Sequence, residues 1–311
     1  MCIALLLFDR FSNLCLANCL EPLRAANTLG PRRGFDWQIL TLDGGPARSS
    51  SGIEVLAHGG LGALTLCDYL FVLASYDHDR HDSAATRRAL QGAARRAGVT
   101  VGLDAGPWLL ASAGLLDGRR ATVHWENQPA FSEKFPEVEV TGNTFEVDGG
   151  IFTCGGGVGA TDMMLEMIEA DYGRPFADVV ADMCLYSQRR AERGPQRASI
   201  SNALDSRNPL LVRAIKVMQT NIETPISMDE LAEAAGCSRR QMERLFVKYL
   251  RKTPYRFFRD LRLDHGRSLL RETDLSVTEI AMASGFASPM VFIKTFRSRF
   301  GHSPGQYRRA G

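Results

Sequence analysis

Apolar residues follow two different rhythms along this chain, and the change comes near residue 200. Over the first 190 residues, short β-rich runs at Ile3–Phe8, Trp37–Leu42, Tyr69–Ala74, Val99–Leu103 and Ile151–Cys154 alternate with helical stretches near Asn18–Leu29, Ser83–Gly98, Gly106–Leu116, Ala160–Ala170 and Pro175–Arg190. Strand and helix in alternation predict a doubly wound α/β domain, a parallel sheet covered by helices on both faces, with ligands bound at the carboxyl ends of the strands. Beyond Pro209 only helical spacing remains, which predicts an all-α second domain.

The helical part contains one motif written twice. Ser227-Met-Asp-Glu-Leu-Ala-Glu-Ala-Ala-Gly236 and Ser276-Val-Thr-Glu-Ile-Ala-Met-Ala-Ser-Gly285 each begin with a Ser three residues before a Glu, the reciprocal cap of a helix start. Leu231 and Ile280, with Ala234 and Ala283, are expected on the inward face. Gly236 and Gly285 stop each helix, and a second helix opens at Ser238 or Ser288, with Pro289 in the first helical position of the second copy. Two helix-turn-helix units are therefore predicted. Between them, Phe258, Leu261, His265 and Leu269 lie on one stripe of a long amphipathic helix, with His265 a packed structural residue and Gly266 a point of close helix approach.

In such a unit the second helix enters the major groove of double-stranded DNA. Met242, Leu245, Phe246, Phe292 and Phe296 take the inward side. That leaves Arg239, Arg240, Gln241 and Arg244 to project from one reading helix and Pro289, Met290, Val291 and Lys294 from the other. Arg grips guanine and Gln reads adenine, whereas Met, Val and Pro offer apolar contact or shape fit, so the first unit should carry more of the polar readout. Residues from about Pro209 to Gly311 resemble the AraC/XylS family of bacterial transcription regulators, on Asp274-Leu-Ser-Val-Thr-Glu-Ile-Ala281, Gly285-Phe-Ala-Ser-Pro289 and Phe296-Arg-Ser-Arg-Phe-Gly301. The resemblance implies two successive major grooves read on one face of the duplex, and contact with RNA polymerase. Met290-Val291 and Ile293 depart from the small or polar residues usual in relatives.

Charge sharpens this picture. The whole chain carries a formal +2, but from Asp205 onward 19 Lys and Arg face 11 Asp and Glu, a net +8, against −6 for residues 1–204. A basic C-terminal part attracts phosphate and an acidic N-terminal part stays off it. The seven scattered cysteines suit a reducing cytoplasm, and Ile3–Phe8 is too short for a signal or a membrane span. Arg189–Asn208 is polar and charged, which predicts domains at 1–190 and 209–311 with a linker at 191–208.

The candidate chemistry of the first half centres on Gly102-Leu-Asp104-Ala-Gly106-Pro-Trp108, a strand-to-helix turn of the kind that lifts one side chain above a sheet, as a nucleophile elbow does. Glu21, this elbow, and His124 in Ala121-Thr-Val-His-Trp-Glu126 together resemble the class I glutamine amidotransferase-like superfamily in its PfpI branch. Those enzymes carry Cys at the elbow. Asp104 stands here instead, a poor nucleophile, so no catalytic role is expected and Cys154 reads as a buried small residue. Joined to an AraC-type domain, this fold resembles GlxA-like regulators, which implies a homodimer sensing arginine, glycine betaine, carnitine or a related amine.

An elbow carboxylate beside aromatic rings would attract an ammonium group, so Glu21, Asp104, Trp108, His124 and Trp125 are the candidate effector residues. The Gly155-Gly156-Gly157-Val-Gly159 run could offer N–H groups to a carboxylate. Asp77-His78-Asp79-Arg80-His81-Asp82 reads as a solvated loop, with no zinc-site spacing, and no cofactor is called for. The expectation is a cytoplasmic, effector-responsive transcription regulator, an activator. The alternatives are a PfpI-like hydrolase or deglycase with a DNA-binding accessory, or a constitutive DNA binder whose first domain only dimerises.

Overall fold

A computed structural model describes residues 1–30, 34–186, 196 and 208–310, and the chain divides into two compact units, Met1–Gln196 and Arg197–Gly311. The expected linker, 191–208, lies outside the described residues except for Gln196 and Asn208.

In the first unit a seven-stranded sheet runs in the order Phe145–Asp148, Ile151–Cys154, Ala97–Asp104, Cys67–Ala74, Cys2–Leu7, Asp36–Thr41, Gly59–Gly60. All neighbours are parallel except the first pair. Ile3 to Leu7 are all buried, as a strand covered on both faces requires. The odd-numbered Ile3, Leu5, Leu7, Phe71, Leu73, Val101 and Leu103 share a core with the helices Asn13–Leu29, Gly159–Tyr172 and Arg174–Met183. A Cβ on Gly102, of the opposite parity, would meet Leu110 and Pro107 of the helix Gly106–Ser112 within 3.1 Å, which places that helix on the other face. The doubly wound fold expected from alternation is therefore present, with one antiparallel edge.

Several boundaries differ from expectation for identifiable reasons. The first helix starts at Asn13, not Asn18, because Ser12 caps it by accepting from the Cys15 N–H at 3.3 Å. The antiparallel strand Phe145–Asp148 was not anticipated. Gly149-Gly150, at φ 56° and 80°, closes it onto Ile151–Cys154 as a two-residue hairpin. Asp77–Asp82 is not a solvated loop throughout, since His78–His81 form a 3-10 turn that buries His78. Ser83 caps the next helix, Ala84–Ala94.

The second unit consists, among the described residues, of helices Pro209–Thr220, Met228–Ala235, Arg239–Leu250, Pro254–Glu272, Val277–Ala283, Pro289–Phe300 and Pro304–Ala310. Both reciprocal caps close as the sequence implies, Ser227 with Glu230 and Ser276 with Glu279. Leu231 and Ile280 are fully buried, but Ala234 is exposed and Ala283 only half-buried. The inward neighbours are instead Ala232 and Ala235 in one copy and Ala281 in the other. An apolar residue three positions on from a buried one shares its face only when the helix is turned that way, and these helices are turned toward the position after.

The long helix Pro254–Glu272 joins the units, and a Cβ on Gly266 would lie 2.8 Å from the Phe292 ring and from Ser284 Oγ, so the close approach expected there is real. His265 is half-buried, and desolvation pushes its imidazole down to about 4, leaving it neutral near pH 7.

Candidate effector pocket and nucleic-acid interface

The elbow is built as its glycines dictate. Asp104 ends the strand Ala97–Asp104 in the left-handed region, φ 62°, and the helix Gly106–Ser112 follows at once. A Cβ on Gly106 would sit 2.1 Å from the Val72 carbonyl oxygen, so only glycine lets the chain turn this tightly against the neighbouring strand. Asp104 thus occupies a backbone conformation that costs a non-glycine residue energy, a recurrent mark of functional turns.

Around Asp104 stand groups from three separate segments of the chain. Ser75, one residue past the strand Cys67–Ala74, donates its hydroxyl to Asp104 Oδ2 at 2.5 Å. The His124 N–H donates to the Asp104 carbonyl at 3.1 Å. Gly156, at φ 79°, packs so closely that a Cβ there would be 2.8 Å from the Asp104 Cβ. Burial pushes the Asp104 carboxyl above the usual carboxylate range; His124 and the Ser75 hydroxyl pull it back, and Glu126 adds to the rise.

Beneath them lie three buried thiols. Cys15 is raised mainly by its hydrogen bond with Cys19 and then by burial, and Cys154 mainly by burial. Burial disfavours the thiolate at both, and Cys154 packs as a fully buried small residue.

The candidate effector residues are not all brought together. Asp104 and His124 are, through the His124 N–H and the charge of its ring; the Trp125 ring lies 5.6 Å from that of His124. Trp108 is 1% exposed and sits behind the elbow against His78 at 4.7 Å, Phe131 at 5.6 Å and Phe135 at 5.5 Å, so it is core and not pocket wall. Glu21 is exposed, accepts from Arg24 Nε at 2.7 Å, and acts electrostatically on Cys184. It is displaced because the helix begins at Asn13, which carries residue 21 about 12 Å along the axis from the helix start.

Sequence reasoning missed Ser75, Glu126 and Gln196. Ser75 was recoverable, since it directly follows a predicted strand at the carboxyl end. Gln196 carried no local signal: its carboxamide reaches Trp125, Thr122, Val123 and Asn143 from a stretch read as polar linker. Within the glycine run, Gly157 accepts at its carbonyl from Asn18 Nδ2 at 2.9 Å, and the helix Gly159–Tyr172 begins two residues on. Among the described residues, no cluster of three or more His, Cys, Asp or Glu is placed to hold a metal. No helix there is long and apolar enough to cross a membrane.

In the second unit Arg239, Arg240, Gln241 and Arg244 are all exposed on Arg239–Leu250, opposite buried Met242, Leu245 and Phe246. They are not equivalent. Arg239 is held by Asp229 at 3.3 Å and Glu243 at 3.3 Å, whereas Arg240 and Arg244 meet no carboxylate among the described residues. On Pro289–Phe300, Met290 is 78% exposed, Val291 52%, and Lys294 is exposed, while Pro289 is half-buried at the first helical position. The two reading helices are braced through Pro254–Glu272: Lys252 pairs with Asp260 at 2.8 Å and Arg299 with Asp264 at 2.7 Å, and Arg299 also donates to the Asp260 carbonyl.

Known proteins match both halves. A DJ-1/PfpI family model covers residues 1–170 and a helix-turn-helix domain model covers 231–310. The HTH-type transcriptional regulator CdhR of Pseudomonas aeruginosa is 40% identical over 97% of this chain and 90% of its own length. The HTH-type transcriptional regulator GlxA of Rhizobium meliloti is 37% identical over 99% of this chain and 95% of its own. Among solved structures, an AraC family transcriptional regulator from Pseudomonas putida matches 59% of this chain and 98% of its own at 26% identity and TM-score 0.52.

Proposed function

Because the chain belongs to the AraC family of HTH-type transcriptional regulators that carry an N-terminal DJ-1/PfpI domain, we propose that it is a cytoplasmic, homodimeric activator. In this reading its first unit binds a small amine or amino acid and its second reads a specific operator and contacts RNA polymerase. The observation that carries the reading is the elbow: Asp104 stands at the strand-to-helix turn where the PfpI-type enzymes carry their nucleophile, held at φ 62° with Ser75 donating to its carboxylate. A carboxylate beside Ser75 and His124, with the Trp125 ring next to that of His124, suits an ammonium or guanidinium group better than it suits acyl transfer.

The N–H groups of the 155–159 run are the complementary contacts for the effector's carboxylate. Readout falls to Arg240, Gln241 and Arg244, with Arg239, Pro289, Met290, Val291 and Lys294 adding backbone, apolar and phosphate contacts. Arginine, glycine betaine and carnitine are the probes. Thermal shift of the full chain with each should reveal at least one that raises the melting temperature, and Asp104→Asn should abolish that rise. If none of them, nor choline, moves the wild-type transition, the sensing role is wrong and only the DNA-binding role stands.

A further inference from the structure

Gln196, the last residue of the first unit, seats its side chain against the segment Thr122–Trp125 that adjoins the elbow. Gln196 Oε1 accepts from the Trp125 N–H at 2.8 Å, and its Nε2 donates to Thr122 Oγ1, the Val123 carbonyl and the Asn143 carbonyl, each at 2.9 Å. One N–H donor and three oxygen acceptors suit a carboxamide, which has an acceptor at one end and two hydrogens at the other. A glutamate there would turn an oxygen toward three acceptors.

Space for the group comes from Gly155, where a Cβ would lie 2.3 Å from Gln196 Oε1 and 2.4 Å from its carbonyl carbon. Gly155 does not have the positive φ of Gly156 and Gly157, so its backbone does not demand glycine. What the missing side chain provides is room for this carboxamide.

The cradle and the elbow share their supports. Of two consecutive N–H groups, His124 donates to Asp104 and Trp125 to Gln196. Of two consecutive glycines, Gly156 packs on Asp104 and Gly155 on Gln196. A ligand that shifts the His124–Trp125 loop or the 155–157 run to meet Asp104 therefore disturbs the seat of Gln196.

We propose that Gln196 is a latch, its carboxamide pinning the interdomain connection to the wall of the effector pocket in the resting protein, and that effector binding at Asp104 activates the regulator by unseating it. The inference rests on the reading of that pocket as an effector site, but the pin itself is testable without any effector.

Full-length wild-type protein, Gln196→Ala, Gln196→Glu and Gly155→Ala are compared, the last evicting the carboxamide while leaving Gln196 in place. By hydrogen–deuterium exchange, the Trp125 amide should exchange about tenfold faster in all three variants, since it loses its acceptor. A reporter driven by an operator selected from random duplexes by the wild-type protein should rise about fivefold or more in each variant without added compound. Unchanged exchange at Trp125 overturns the pin. Faster exchange with a reporter that stays at the wild-type level overturns the regulatory role. If Gln196→Ala fails to melt cooperatively, Gly155→Ala and Gln196→Glu decide. Variants that switch on while arginine, glycine betaine and carnitine all leave the wild type unshifted support the latch and remove the amine effector.

Discussion

The two helix-turn-helix units are copies in sequence and opposites in what they present. In its first two turns the first reading helix offers Arg240, Gln241 and Arg244 to solvent, while the second offers Met290, Val291 and Lys294. Their turn glycines differ too. A Cβ on Gly285 would lie 2.3 Å from the Ile222 carbonyl and 2.6 Å from Pro225, but one on Gly236 would meet only the Arg213 side chain, at 3.5 Å. The first unit is therefore chemically specific in a loosely confined turn, and the second is chemically plain in a tightly packed one. The two copies share a scaffold and differ in what they expose, which fits the proposed division in which one copy would discriminate bases by hydrogen bonding and the other would fix position by shape.

The largest test of this division is the glycine pair. Gly285→Ala combines the left-handed backbone cost with an overlap on backbone atoms and should destabilise the second unit by about 3 kcal/mol or more, whereas Gly236→Ala should cost about 1 kcal/mol. Urea unfolding of each variant measures both, and equal losses would erase the distinction in confinement.

A second test uses pH, because His265 lies on the helix that joins the copies. Unfolded, it takes a proton near 6.5; folded, not until about 4, so the unfolded state binds more protons in between. Its contribution to stability is complete above pH 6.5 and falls as pH drops toward 4, by up to about 3 kcal/mol, while His265→Leu should show a flatter profile over that window. Melting temperatures taken from pH 7 to pH 4 decide it, and parallel curves would mean that the imidazole titrates normally in the folded state.

Next comes readout. Arg244→Ala should weaken operator binding by about 1 to 3 kcal/mol and relax one base preference, whereas Met290→Ala should change affinity by less than about 1 kcal/mol and leave preference intact. Titration against single-base operator variants compares the two, and a larger specificity loss at Met290 would reverse the assignment of tasks. The smallest effect is expected at Arg239. Because this side chain is already shared between Asp229 and Glu243 at the surface, its replacement by Ala should leave the melting temperature nearly unchanged and cost less operator affinity than Arg240→Ala.

Legibility in the sequence followed the range of the interactions responsible. Caps, turn glycines and the stripe on the joining helix are set by residues three or four apart, so Ser227–Glu230, Ser276–Glu279 and Gly266 could be read directly. The elbow glycines were also visible, because a strand, a glycine pair and a helix are neighbours in the chain. Trp108 and Glu21 were misplaced because sequence proximity to an elbow does not say which side of the sheet a ring enters or where a helix begins. Gln196 was invisible: its partners are 53 to 74 residues away, and the charged stretch around it shows no helical or strand period. The Asp148-Gly-Gly-Ile151 hairpin was in plain sight and went unread, since its strand is short and only half apolar.

The ion pairs from Asp260 and Asp264 to Lys252 and Arg299 have a consequence for the genome rather than for the protein. Ion pairs that tie the end of each reading helix to one rod resist a change in their separation, so the bound promoter is expected to keep its two half-elements at one phase. Inserting a single base pair between them rotates one by about 35° and moves it by about 3.4 Å, which the clamp cannot follow. Promoters under this regulator should therefore tolerate substitution in the spacer and not tolerate a change in its length.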